Sequence, residues 1–166
     1  EDKPLVRSIE KRLDDVAGVH VRRYFYSEAL RLSPQSVRPI FSSGLPMWQS
    51  VVVTLAWPRI VKMMQRGLDL GTAQSAQSLA TVDGELAWLD ALLADGRPYL
   101  TGQRWTRADL TAAALLAPLV EPIEHPMYRK LVFPQTISET QKSWSTRPSL
   151  QLVARTYAQH RKPAKA

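Results

Sequence analysis

From Leu5 onward the apolar residues Leu5, Ile9, Leu13 and Val16 recur three or four positions apart, the spacing of one helix face. The pattern continues through "VHVRRYFYSEALRL" and must stop near Ser33-Pro34, because a residue before proline is pushed out of helical geometry. Gly18 predicts a bend in this long first helix. The stretch "PQSVRPIFSSGLP" is dense in turn formers and reads as a loop. "MWQSVVVTLAWPRIVKMMQRGLDLG" then carries two signals, since "VVVTLAW" is β-branched while Met47, Val51 and Leu55 are spaced by four. A lone strand would have no partner, so this segment is predicted to be a helix, bent near Pro58 and ending before Gly71.

The residues from Thr72 to Asp95 give the clearest amphipathic pattern, with Leu79, Val82, Leu86, Leu89 and Leu93 on one stripe and Gly96 at the position of a C-terminal cap. In "RPYLTGQRWTRADLTAAALLAPLVEP", Thr106 has the chemistry of an N-cap and Asp109, three residues on, completes a capping box. Trp105 and Leu110 occupy the two positions of a hydrophobic staple. From Leu110 to Val120 only Thr111 is polar, which predicts a helix enclosed by protein on all sides. Pro122 and Pro126 mark a loop; "ISETQKSWS" and "PSLQLVARTYAQH" follow as two short helices, the second starting at Pro148. The expected fold class is all-α: a single domain over 1–166, a bundle of about six helices with no βαβ signal.

Composition narrows the chemistry. Of 166 residues 45% are hydrophobic and 22% charged, enough for a sizeable core and too apolar for disorder. No cysteine is present, which excludes disulfides, thiolate metal sites and cysteine nucleophiles and suits a reducing, cytoplasmic setting. The longest uncharged run, Ile40 to Trp57, is too polar and broken to span a bilayer, so no membrane partner is expected. The net charge of +7 raises the question of nucleic acid, but part of it lies in the terminal "HRKPAKA" and the rest is scattered among acids. A solvated basic surface is the expectation. His20, His125 and His160 lie on different predicted elements without metal-ligand spacing, and no metal is expected. Asp14 and Asp15 are adjacent on a helix and diverge, which disfavours paired acid–base work. Nucleophile-elbow, Walker and dinucleotide fingerprints are absent.

One string is more specific than any of these totals. "YLTGQRWTRADLTAAALLAPL" resembles the fL-x-G-x-x-x-T-x-A-D-x-x-x-a signature of the glutathione S-transferase C-terminal domain. "DDVAGVHVRRYFYSEAL" is similar to that family's first C-domain helix, and "WSTRPSLQLV" to its late W-x-x-RP turn and helix; the 37 to 70 region matches least well. The resemblance implies a bundle whose buried central strut begins at the Thr106–Asp109 cap. It also implies glutathione as co-substrate, an apolar electrophile, a role in detoxification, and a homodimer built from the first helix and the Leu79–Leu93 helix.

These residues contain no counterpart of the family's thioredoxin-like N-terminal domain, which supplies most glutathione contacts and the thiol-activating residue. On this resemblance the chain is expected to be inactive by itself, either as the C-terminal half of a longer enzyme or as a stand-alone bundle. It is also expected to self-associate through the uncovered cleft face. Within it, His20, Arg23, Tyr24 and Ser27 share one helix face by i, i+3, i+4 and i+7 spacing. A cationic and aromatic face suits a thiolate and a flat electrophile, so these four are the candidate substrate-binding residues. The competing view assigns Tyr24 and Phe25 to packing and Arg22 and Arg23 to solvent. A second functional reading is a non-catalytic assembly module, as in the transferase-like bundles of translation factors and aminoacyl-tRNA synthetases.

Overall fold

The computed structural model describes residues 3–42, 44–128 and 131–161, and among them every regular element is helical. Helix α1 (Lys3–Arg12) passes through one π-helical turn (Leu13–Ala17) into α2 (Gly18–Leu32), forming one long rod. The Gly18 N–H reaches back five residues to the Leu13 carbonyl, which closes the wider turn. The irregularity in this helix is the π turn just before Gly18, while Gly18 itself stays helical at φ −64°. Its missing side chain serves another purpose: a Cβ there would lie 2.9 Å from Leu115 Cδ2. The widened turn also shifts the buried stripe to Val6, Ile9, Leu13, Ala17 and Val21, leaving Leu5 exposed and Val16 only half-buried.

The predicted loop after Pro34 is instead a helix, α3 (Pro34–Ser42). Pro34 sits in the first turn, where a missing N–H costs nothing, and the Ser33 carbonyl accepts from both the Ser36 N–H (2.9 Å) and hydroxyl (2.7 Å). Val37 anchors the element in the core. Gly44, at φ +84°, makes the turn into α4 (Met47–Gly67). The segment is helical, as expected, with Pro58 inside it and Trp57 beside that proline buried.

Helix α5 (Thr72–Leu92) buries Val82, Leu86 and Leu89, with Leu93 just beyond its end, and Gly96 at φ +79° follows. It packs antiparallel along α2, since rising numbers on one helix meet falling numbers on the other: Arg12 with Glu85, His20 with Ser78, Glu28 with Ser75, Ser27 with Gly71. Helix α6 (Arg107–Leu116) continues into a 3-10 turn (Ala117–Leu119) and packs against α1, the π turn, α2 and α8 (Pro148–His160). Helix α7 (Gln135–Trp144) lies against α2. The α7–α8 turn is tied to α5 by Arg147, which bonds Asp90 at 2.8 Å and also meets Asp83, while Asp90 accepts the Ser149 N–H at 2.8 Å.

The cap of α6 is more than a capping box. Asp109, fully buried, accepts the Thr106 N–H and hydroxyl on one oxygen (2.8 and 3.0 Å) and the Leu100 N–H on the other (2.8 Å). One carboxylate thus fixes the helix start and the preceding Tyr99–Gly102 turn. Enclosure of the helix is incomplete, however. Ala108, Ala112, Ala113 and Leu116 are buried, but Leu110 is 51% exposed and Ala114 is exposed. α6 has neighbours on three sides and one open apolar side.

Asp109→Ala would leave the Leu100 and Thr106 donors unsatisfied in the interior, a larger loss than that of a surface cap. The expected destabilisation is about 2–4 kcal/mol, measured by chemical denaturation, against about 0.5–2 kcal/mol for an ordinary cap.

Candidate functional site

Helix α2 presents two different faces, and the chemistry divides between them. The polar face predicted to bind substrate lies in the seam with α5 and α7. His20 Nδ1 is 3.2 Å from the buried Ser78 hydroxyl, and the guanidinium of Arg23 donates to Gln77 at 2.8 Å. The Tyr24 hydroxyl meets that of Thr140 at 2.9 Å, and Ser27 Oγ accepts the Gly71 N–H. Tyr24 and Ser27 are almost wholly buried. All four predicted residues are brought together in ties to neighbouring elements, and none of them lines the hollow between α2 and α6 or the one between α6 and α8. Their partners come from three places: Gln77 and Ser78 on α5, Gly71 just before it, and Thr140 on α7.

Glu28 is the residue of this seam that sequence reasoning missed. Its buried carboxylate accepts the Ser75 hydroxyl (2.7 Å), the Thr136 hydroxyl (3.0 Å) and Arg31 (2.7 Å), joining α2, α5 and α7. Burial alone would raise its pKa, but the hydrogen bonds from Ser75, Arg31 and Thr136 outweigh it and hold the pKa below the usual value. A paired partner set on α5 and α7 was not readable from α2 alone.

The opposite face of α2 is open. Val21, Arg22, Phe25 and Tyr26 form one wall of an apolar hollow of about 270 Å³. Ala114, Leu115 and Pro118 at the end of α6 form the second, and Met127, Tyr128, Leu131 and Phe133 from the connection to α7 form the third. Phe25 packs edge-on against Phe133, with ring centroids 5.3 Å apart. Gly18 lines the base, where its lack of a side chain leaves room beside Leu115. Among the described residues no acid lines this hollow, and Arg22 supplies a cation. Burial raises the Tyr26 pKa, with the nearby Arg22 charge opposing it. Burial raises that of Tyr128 much further, reinforced by Tyr157 and Glu121. Both phenols therefore remain protonated at neutral pH and act as hydrogen-bond donors, not as bases. Such a hollow can hold an apolar or aromatic body with an anionic group directed at Arg22.

A second hollow shares Ala114 with the first and lies between α6 and α8, lined by Trp105, Leu110, Tyr157 and His160 among others. The Trp105 and His160 rings are 4.8 Å apart. The two staple residues thus border an uncovered strip along α6 that links both hollows. Among the described residues no group of three or more His, Cys, Asp or Glu is placed to hold a metal ion. No family model matches the chain, and no curated protein or solved structure matches it either.

The Glu28 contacts predict acid sensitivity. A carboxylate whose folded pKa is depressed stabilises the fold above its unfolded pKa, and that contribution is lost as pH falls through the folded value. Thermal melts should show the wild type losing stability below about pH 4.5, whereas Glu28→Gln, less stable at neutral pH, should lose distinctly less over the same range.

Proposed function

We propose that this chain is the helical substrate-binding half of a glutathione transferase, which holds the apolar electrophile while a thioredoxin-like half binds and activates glutathione. The observation that carries the reading is the hollow on the open face of α2, walled by that helix and the end of α6. The resemblance assigns the substrate wall to the same first helix. In this reading Arg22, Phe25 and Tyr26 line the hollow, while His20, Arg23, Tyr24 and Ser27 one helix face round tie α2 to its neighbours.

The chemistry required of this half is modest. Conjugation needs a stabilised thiolate held next to a desolvated electrophile, which is proximity and electrostatics. The apolar walls exclude water from the electrophile, the Arg22 guanidinium favours the negative charge, and the protonated Tyr26 and Tyr128 hydroxyls can donate to a polar substituent. The uncovered strip along α6, between Trp105 and Leu115, is the surface on which the thioredoxin-like half would rest. The second reading, a non-catalytic assembly module, draws on the uncovered apolar strip along α6, which offers a docking face for a partner.

Calorimetric titration separates the two. The 166-residue chain should bind S-hexylglutathione measurably and unmodified glutathione far more weakly, and should not turn over a chromogenic electrophile. Arg22→Glu and Tyr26→Ala should each weaken S-hexylglutathione by about tenfold, a loss near 1.4 kcal/mol. Conjugation by this chain alone contradicts the division of labour, and failure to bind the S-alkyl ligand favours the assembly module.

A further inference from the structure

Helix α4 is the least covered element of the molecule. It packs on α3 and α2 through Val53, Trp57, Ile60 and Met64, and its other side projects into solvent. At 100° per residue, Trp48, Leu55, Lys62 and Arg66 fall on one line down the middle of that outer side. Leu55 is 78% exposed and Trp48 67%, and Met47, Val51, Val52 and Met63 flank them. The outward stripe is therefore apolar over its first half and cationic over its second, where Arg59, Lys62 and Arg66 form no ion pair with any described residue.

Charge along the chain sharpens the point. Between Glu28 and Asp69 there is no acidic residue, while Arg31, Arg38, Arg59, Lys62 and Arg66 all fall in that interval. Glu28 is engaged by Arg31, so the α3–α4 hairpin carries uncompensated positive charge. An exposed helix side about 30 Å long, with apolar side chains followed by cations around a shallow open hollow, fits a flat, deformable, anionic surface.

We infer that the exposed side of α4 docks on an anionic phospholipid surface, with Trp48 and Leu55 entering the headgroup boundary and Lys62 and Arg66 meeting lipid phosphates. Among the described residues no helix is long and apolar enough to cross a membrane, so the contact is peripheral. The expectation of no membrane partner rested on the absence of a spanning run, and a peripheral contact is a separate matter. A second copy of the chain is a poorer occupant, because its ridge would bring the same cations and no carboxylate to meet them. A nucleic acid is poorer as well, since stacking needs several exposed aromatics and Trp48 is the only one on this stripe. The inference is independent of the reading of the α2 hollow.

The test is flotation of the 166-residue protein with phosphatidylcholine vesicles, with and without one-third phosphatidylglycerol. Binding is expected only to the anionic vesicles and should weaken at high salt. Lys62→Glu with Arg66→Glu should weaken it at least about tenfold. Trp48→Ser with Leu55→Ser should abolish what persists at high salt. All four side chains are surface residues, so unchanged thermal melts are expected to confirm folding. Equal partitioning to neutral vesicles, unaltered binding by the charge-reversal variant, or no vesicle binding at all would overturn the inference. So would a dimer or an RNA complex that forms through this stripe while vesicles do not bind.

Discussion

A single buried carboxylate organises the region on which the candidate site depends. Asp109 holds the Thr106 backbone N–H and hydroxyl with one oxygen and the Leu100 N–H with the other. Those contacts lock the Tyr99–Gly102 turn to the first turn of α6, so the helix leaves its cap in one direction only. That direction carries Leu115 over Gly18, close enough that any larger residue at 18 would meet it. The end of α6 then becomes one wall of the hollow and the open side of α2 becomes another. The shape of the site is thus tied to a cap about two turns away.

The second constraint is the seam between α2 and α5. Five polar side chains of the rod, Arg12, His20, Arg23, Ser27 and Glu28, find partners on α5 or at its start. Buried polar groups are costly unless paired, so a seam of this kind specifies one register and one rotation of α2. On the other side of that helix Val21 and Phe25 are buried in the core, and Arg22 and Tyr26 border the hollow whose second wall is the end of α6. Polar ties on one side and an apolar hollow on the other are two results of the same choice. The α7–α8 turn is fixed by similar means, through Arg147 and Asp90.

How much of this was legible in the chain depended on how local the cause was. The Thr106–Asp109 cap, the stripe of α5 and the start of α8 at Pro148 are each set by residues within a turn or two, and the helices appear where the spacing places them. Helix α3 was hidden because Ser33, Pro34 and Pro39 are turn formers by composition, yet Ser33 and Pro34 serve a helix start and Pro39 is carried inside the helix. The inward rotation of His20, Arg23, Tyr24 and Ser27 was hidden because its cause lies more than forty residues away, at Ser75, Gln77, Ser78 and Gly71. A signal did exist in Gly18: a glycine inside a helix marks a close approach, and here it marks the floor of the hollow. The open side of α6 shows the limit of pattern reading in the other direction, since an apolar helix need only be covered by something, not by this bundle.

The most direct test of the central claim, that the α2–α6 hollow receives the apolar part of a ligand, is a methyl-resolved NMR titration with S-hexylglutathione. Saturable shifts confined to the methyl groups of Val21, Ala114, Leu115, Met127 and Leu131, with Leu86 and Leu89 in the α5 core unmoved, are the predicted result. Shifts clustered elsewhere, or none at ligand excess, would contradict the account.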